Sequence, residues 1–338
     1  MRVWLPIGLA ALMSVSACAQ ERPDVQTVKP VAEAPVQNTN QAAPTPVILQ
    51  GETIPDVLPQ ASPLSCEGVE QQGGAVLCQT VPNAKVKIGR SETDFYYENA
   101  DNEGRLIIGF DRDEVHTFVE FGGRRVSFEL TPRDYDISRI DGLPPSQVSS
   151  FNEQQLKRIR SSSARKSVGF SSRAKEVGLK DGFIFPLKTW NKSSPFGAQR
   201  ILNGEAKRPH YGVDIAAPVG TPIYAPADGI VSLADDDLYF EGAMVMLDHG
   251  QGLNSMYLHV SEIYVEAGQA VKQGEKIAAI GSRGRSTGPH LCWRMKWRNR
   301  NLDPELLTKW PGRESSANIS YGSGHSDEHN HSHDHSHE

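Results

Sequence analysis

Gly288-Pro-His290-Leu-Cys292-Trp293, read with His210-Tyr-Gly-Val-Asp214 and Tyr257-Leu-His259, decides how this 338-residue chain folds and where its chemistry lies. A His and an Asp four residues apart supply two metal ligands. A strand carrying His290 and Cys292 turns both side chains to one face, because alternate residues share a side. Between and around these motifs run Gly220-Thr-Pro-Ile-Tyr-Ala225, Gly229-Ile-Val-Ser-Leu233, Ala243-Met-Val-Met-Leu-Asp248, Asn254-Ser-Met-Tyr-Leu-His259 and Val271-Lys-Gln-Gly274 with a later Gly281. Valine, isoleucine and glycine at these spacings predict antiparallel hairpins with almost no helix over residues 183–310. Val271-Lys-Gln-Gly274 also fits a lipoyl or biotinyl carrier barrel. Neither an exposed hairpin-tip lysine nor any need for His210 supports that reading.

Working outward, residues 63–135 show a second set of short strands, from Ala75-Val-Leu-Cys78 to Arg125-Val-Ser-Phe-Glu-Leu130, spaced by turn residues. Their alternation predicts a small antiparallel β-sandwich, so the chain is mainly β. Cys66 and Cys78 lie twelve apart in this region and are expected to form a disulfide in an oxidising compartment. Residues 136–182 form a basic connector in which Ser150-x-x-Glu153 predicts a capping box, opening a helix through Leu156 and Ile159. Lys157, Arg158, Arg160, Arg165, Lys166, Arg173 and Lys175 stand out against a net charge of −6. Such a stripe either meets anionic wall polymer or lipid head groups or is a solvated helix face. Without interleaved aromatics it does not indicate a nucleic-acid partner.

The first eighteen residues read as a lipoprotein signal peptide. A basic start and an apolar stretch too short to span a bilayer lead to Val15-Ser-Ala-Cys18, a lipobox pattern with Cys18 as the lipidation site. A lipid-anchored periplasmic protein is therefore expected. Ala19, in place of an aspartate, favours the outer membrane over the inner. Residues 19–62 are rich in Pro, Ala, Gln and Thr, and lack aromatics, as in a disordered tether. Residues 311–338 hold His325, His329, His331, His333, His335 and His337 among acids and serines, a disordered tract expected to bind metal loosely.

Phe196-Gly, His210-x-Gly-x-Asp214, Gly220-Thr-Pro, His249-Gly, Tyr257-x-His259, Val271-x-x-Gly274, Gly281 and Gly288-Pro-His-Leu fall in the order of the M23 (LytM/lysostaphin-like) metallopeptidases, which the segment resembles. The whole chain is similar to lipoprotein-like Gram-negative members, with a small β domain before the peptidase. The resemblance implies a LytM-like, barrel-sandwich type β domain and one catalytic Zn2+. It places metal ligands on His210, Asp214 and Cys292, and the non-ligand catalytic histidines on His259 and His290. Three protein ligands leave a fourth position open, as in catalytic zinc sites. Imidazoles near pH 7 can move the protons of peptide hydrolysis and donate to a developing oxyanion. Asn203, Tyr257 and Arg294 are expected substrate-groove residues. His249, beside a glycine, reads as a turn residue.

The family's second motif normally ends in histidine, and here it ends in Cys292. Thiolate binds zinc well but makes it a weaker Lewis acid, whereas a buried thiol beside Trp293 is also simply a small apolar residue. Two functions follow. The first is a zinc endopeptidase that cuts the peptide cross-links of peptidoglycan. The second is a non-catalytic LytM-type module that binds peptidoglycan or activates a cell-wall amidase.

Overall fold

Seven short runs of apolar and β-branched residues, each ended by turn residues, pair as two antiparallel sheets in the amino-terminal part of the described chain. They are β1 (Ser65–Gly68), β2 (Ala75–Gln79), β3 (Lys85–Gly89), β4 (Phe95–Asn99), β5 (Arg105–Gly109), β6 (His116–Phe121) and β7 (Arg124–Glu129). Their orders are β1-β2-β5 and β4-β3-β6-β7, the two layers of a sandwich. The alternation is plain in β3, where Val86 and Ile88 are fully buried between Lys85 and Lys87. Cys66 and Cys78 sit directly opposite each other across β1 and β2 and are joined by a disulfide. The computed structural model describes residues 63–143, 148, 151–174 and 182–309. Cys18 with its lipobox, the tether 19–62 and the His-rich tail 311–338 lie outside the described residues.

The connector contributes β8 (Ile137–Ile140) and helix α1 (Glu153–Phe170). The capping box lies two residues later than the sequence suggests. Asn152 caps α1 by accepting from Gln155 N at 2.9 Å, and the Gln155 side chain accepts from Asn152 N at 2.8 Å. Glu153 is instead the first helical residue. The cause is tertiary: Phe151 is wedged edge-on between Tyr239 and Phe240, which sets where the chain enters the helix. Nor is the basic stripe left to solvent alone. Arg158 pairs with Asp237 and Arg165 with Asp235, each at 2.7 Å, and Lys166 pairs with Glu241. Gly169 is buried where a Cβ would lie only 3.1 Å from Leu233 and 3.2 Å from Met246. The absent side chain lets α1 press onto the sheet beneath it.

That sheet belongs to the carboxy-terminal part, built from β9 (Asn191–Ser194), β10 (Gln199–Leu202), β11 (Glu205–Ala206), β12 (Val213–Ala216), β13 (Pro222–Tyr224), β14 (Gly229–Leu238), β15 (Gly242–Asp248) and β16 (Leu253–Leu258). It continues through β17 (Glu262–Ile263), β18 (Ala270–Val271), β19 (Lys276–Ala279), β20 (His290–Trp297), β21 (Arg300–Leu302) and the short helix α2 (Pro304–Leu307). The main sheet runs β18-β14-β15-β16-β20-β12-β9, with β21 also on β20. A second sheet runs β13-β19-β17, and a third, β11-β10-β8, carries the connector strand parallel to β10. The fold is thus mainly β and antiparallel, as the strand pattern predicts. Among the described residues no helix is long and apolar enough to cross a membrane.

Pleating sorts the main sheet into two faces. Val213 and Ile215 of β12, Ser255 and Tyr257 of β16, and Leu291, Trp293, Met295 and Trp297 of β20 are almost wholly buried on one face. The other face carries Asp214, Met256, Leu258 and Cys292. There Leu238, Met244, Met246, Met256, Leu258 and Cys292 form a second, smaller apolar cluster, with Phe170 of α1 and Leu233 packed against it.

The two parts are joined by a buried ionic contact. Arg300 donates through Nε to Glu114 Oε2 at 2.8 Å, through Nη2 to Oε1 at 3.1 Å, and through Nη1 to Tyr96 Oη at 2.7 Å. Gln251 extends the edge of β5, accepting from Ile107 N and donating to Arg105 O, both at 2.9 Å. Tyr135 lies over Gly197, whose φ of 84° no L-residue adopts easily and whose Cβ would fall 2.2 Å from the tyrosine ring. Removing one member of a buried pair strands its partner. Glu114→Gln is therefore expected to lower the urea-unfolding free energy by about 3 kcal/mol. A loss within experimental error would show that the joint does not depend on this pair.

Candidate metal centre

The centre is assembled from neighbouring strands. Asp214 of β12 lies opposite Cys292 of β20, and Cys292 lies opposite Leu258 of β16, so the pleat turns Asp214 and Cys292 to one side. His210 precedes β12 and is 1% exposed. Its backbone is held by the segment beneath Tyr135: Gly197 N donates to His210 O and His210 N donates to Ala198 O, each at 2.8 Å. Its Nε2 is 3.1 Å from Asp214 Oδ1 and 3.3 Å from Cys292 Sγ. All three donor atoms lie within 4.8 Å of one another.

Three observations bear on whether this set fits a metal. Asp214 Oδ1 is buried without a properly aligned hydrogen bond, although His210 Nε2 is close. One nitrogen, one oxygen and one sulfur donor is a set that suits zinc. Tetrahedral bonds of about 2.0–2.1 Å to nitrogen and 2.3 Å to sulfur would separate those ligands by roughly 3.5 Å, close to the spacing seen. The residues fit.

Electrostatics differ from site to site. Burial raises the Asp214 carboxyl, but the close approach of His210, with His290 and Cys292, outweighs it and holds its pKa down at about 2. Burial pushes the Cys292 thiol up to about 12, against the pull of Arg294. Arg294 donates through Nε to Cys292 Sγ at 3.3 Å. Its stem crosses Gly212, where a Cβ would be 2.7 Å from Arg294 Cγ, which is the steric reason for glycine inside His210-x-Gly-x-Asp214. Burial also lowers the His210 imidazole.

His259 and His290 stand beside the donor set with ring centres 4.9 Å apart. Strand alternation would send His259 the same way as Tyr257, into the core. A φ of 66° at His259 breaks the alternation immediately after β16. His259 Nδ1 is 2.8 Å from Arg283 O and His290 Nδ1 is 2.8 Å from Gly288 O. A carbonyl can only accept, so in each neutral ring Nδ1 carries the proton and Nε2 the lone pair. Burial lowers His259 to about 4. His290 Nε2 is 3.8 Å from Asp214 Oδ1.

Two expected groove residues are committed to other contacts. Tyr257 is on the core face, fully buried, its hydroxyl 2.7 Å from Ser255 Oγ, because its odd position pairs it with Trp293 and not with Cys292. Asn203 occupies a turn at φ 49° and commits its amide to Leu143, donating to O at 2.7 Å and accepting from N at 3.0 Å. Arg294 does reach the centre. Sequence reasoning overlooked Arg200, whose Nη2 is 3.8 Å from Asp214 Oδ2, and Ser194, whose Oγ is 3.4 Å from His210 Nδ1. Neither carries a spacing signal, because each arrives from a separate strand.

His249 lies, as read, where β15 turns into β16, its N donating to Leu253 O at 2.8 Å. It is fully buried, with Nδ1 donating to Asp228 O at 2.8 Å and Nε2 2.7 Å from Ser255 Oγ. Burial lowers its pKa from 6.5 to about 4. Between those values the unfolded chain binds the proton and the folded chain does not, so stability rises with pH. Unfolding free energy in chelator is expected to fall as pH drops from about 6.5 to about 4, with His249 alone contributing about 3 kcal/mol. Urea titrations across that range should show a shallower slope in His249→Gln. An unchanged slope would contradict the assignment.

Residues 208–304 match the model of peptidase family M23. An uncharacterized metalloprotease of Haemophilus influenzae is 44% identical over 141 residues, which cover 40% of this chain and 29% of that protein. The Vibrio cholerae peptidoglycan DD-endopeptidase ShyA is 42% identical over 116 residues, covering 34% of this chain and 26% of its own length. This chain thus spans less than a third of either relative. A Pseudomonas aeruginosa crystal structure carrying the M23 peptidase designation superposes with a TM-score of 0.51 at 25% identity, over 71% of this chain and 95% of that one. The matched segment takes in His210, Asp214, His259, His290 and Cys292 on a fold of the same kind, and residues 208–304 belong to peptidase family M23.

Proposed function

We propose that the protein is a zinc-dependent endopeptidase that hydrolyses peptide cross-links of peptidoglycan. The observation that carries this reading is the convergence of His210, Asp214 and Cys292 donor atoms within 4.8 Å, beside two further imidazoles. ShyA, named as a peptidoglycan DD-endopeptidase, supports the substrate. His210 Nε2, an Asp214 oxygen and Cys292 Sγ would hold the metal. When bound, zinc supplies a Lewis acid that polarises the scissile carbonyl and acidifies water to a pKa of about 7.

The protein's own groups do the rest. The Cys292 thiol gives up its proton on binding, and Arg294 beside the sulfur offsets the charge left there. Asp214 is already ionised at neutral pH, since its pKa is about 2. His259 is neutral there, with its Nδ1–H tied to Arg283 O, so its Nε2 lone pair is positioned to take a proton. His290 holds the same tautomer through Gly288 O. Protonated at Nε2, either ring becomes a donor to the developing oxyanion or the leaving amine.

The packing of the Cys292 thiol into the apolar cluster with Met256 and Leu258 is the one observation that favours a second reading. In it, the centre has lost its metal and the domain binds peptidoglycan or activates an amidase. We also propose a periplasmic location with a lipid anchor at Cys18 in the outer membrane, supported by Val15-Ser-Ala-Cys18 and Ala19. The His-rich tail would add loose metal binding.

With residues 311–338 removed, so that the tail cannot mask the site, the purified protein should bind one zinc per chain by elemental analysis and release muropeptides from cross-linked peptidoglycan. Digestion should be abolished in His210→Ala and reduced at least a hundredfold in His259→Ala. A zinc-loaded wild type that releases nothing would leave the second reading in its place. Cys292→His should retain stoichiometric zinc. Loss of metal from that variant alone would show that the cavity is built around sulfur.

A further inference from the structure

Arg294 of β20 is half-buried, and what it bonds to is a sulfur. Among the described residues its guanidinium makes one hydrogen bond, from Nε to Cys292 Sγ at 3.3 Å, and no ion pair. The carboxylates around it face other cations: Asp214 meets His210 and Arg200, and Glu241 pairs with Lys166. The stem is confined as well. A Cβ on Gly212 would lie 2.7 Å from Arg294 Cγ and 3.4 Å from Nε. Gly212 is not in the left-handed region, so glycine is needed there for room alone. A neutral thiol is a weak acceptor, and a partly desolvated guanidinium set against one is poorly compensated. Against a thiolate the same contact is a charge-assisted hydrogen bond. The sulfur thus stands between His210 Nε2 of the donor set and a confined cation, each at 3.3 Å.

We propose that Arg294 is a positioning residue, the dedicated counter-ion of the Cys292 thiolate in the zinc-bound centre, so that sulfur and guanidinium together replace the histidine that normally ends the second motif. This role rests on the zinc-peptidase reading above and deepens it. Charge supports the pairing. One carboxylate with two imidazoles carries a single negative charge, and exchanging an imidazole for a thiolate adds a second, which Arg294 balances. An N–H donor also draws electron density away from sulfur, and partners of this kind tune a metal through its ligand. The weaker Lewis acidity that a thiolate brings is offset by the same contact. Arg294 acts through Cys292 and touches neither the metal nor the reacting atoms.

Cobalt(II) in place of zinc reads the sulfur directly, through the near-ultraviolet thiolate-to-cobalt charge-transfer band of the full chain. Subtracting the spectrum of Cys292→Ser assigns the band to this residue. Arg294→Gln should move the band to longer wavelength, because a sulfur without its N–H donor gives up charge more easily, and Arg294→Lys should return it part of the way. In zinc-loaded protein, Arg294→Gln should lower kcat/KM on a cross-linked muropeptide by about tenfold to a hundredfold. The same substitution should cost less than about threefold when Cys292→His is also present. A band at the wild-type position in Arg294→Gln, or equal losses with and without Cys292→His, overturns the proposal. Absence of any sulfur band from cobalt-loaded wild type removes Cys292 from the ligand set and overturns the zinc reading with it. A band that responds to Arg294 in protein that cleaves nothing upholds the pairing and overturns the hydrolase reading alone.

Discussion

The pleat of β20 is the constraint on which the rest depends. Leu291, Trp293, Met295 and Trp297 are buried on one face, and they hold the strand against the core so firmly that its register has no freedom. The opposite face then delivers His290, Cys292 and Arg294 to one line. Antiparallel pairing sets Asp214 opposite Cys292, and a slip by one residue would put Leu291, Trp293 and Met295 where His290, Cys292 and Arg294 stand. The indole faces thus set the position of the sulfur. The steric demand continues into Gly212, which leaves room for the Arg294 stem.

Support for the other half of the centre comes from outside the matched segment. Tyr135 lies over Gly197, and the backbone from Gly197 to Ala198 makes two hydrogen bonds to His210. On the far side, Lys166 of α1 pairs with Glu241, whose carbonyl accepts from His259 N at 3.1 Å. The amino-terminal sandwich and the connector helix therefore buttress His210 and His259 respectively. Arg300 with Glu114 locks the sandwich to the strand that follows β20, closing the circuit. The basic run of α1 is largely a matter of internal complementarity, because Arg158, Arg165 and Lys166 face an acidic edge of the same chain.

Much of this arrangement could be read before any coordinates. Strand runs such as Ala75–Gln79 and His116–Phe121 are bounded by turn residues, so local pattern and final element coincide. Spacing alone put His290 and Cys292 on one face. Where reading failed, a distant contact was responsible. Phe151 between Tyr239 and Phe240 moved the helix cap from Ser150 to Asn152. Tyr257 and His259 look like partners two apart, yet the left-handed backbone at His259 separates them, sending one ring to the core and the other to the centre.

By itself, then, the sequence determined the mainly β character, the strand order within hairpins and the residue types available for a metal, because these depend on neighbours along the chain. Only the tertiary structure decided which of those residues meet. His210 and Cys292 are 82 positions apart, and their 3.3 Å approach exists only once β12 pairs with β20. Arg200 reaches Asp214, and Arg285 the Phe240 ring, by the same means. Such contacts leave no periodic trace in sequence, since packing against the core, and not chain spacing, brings the groups together.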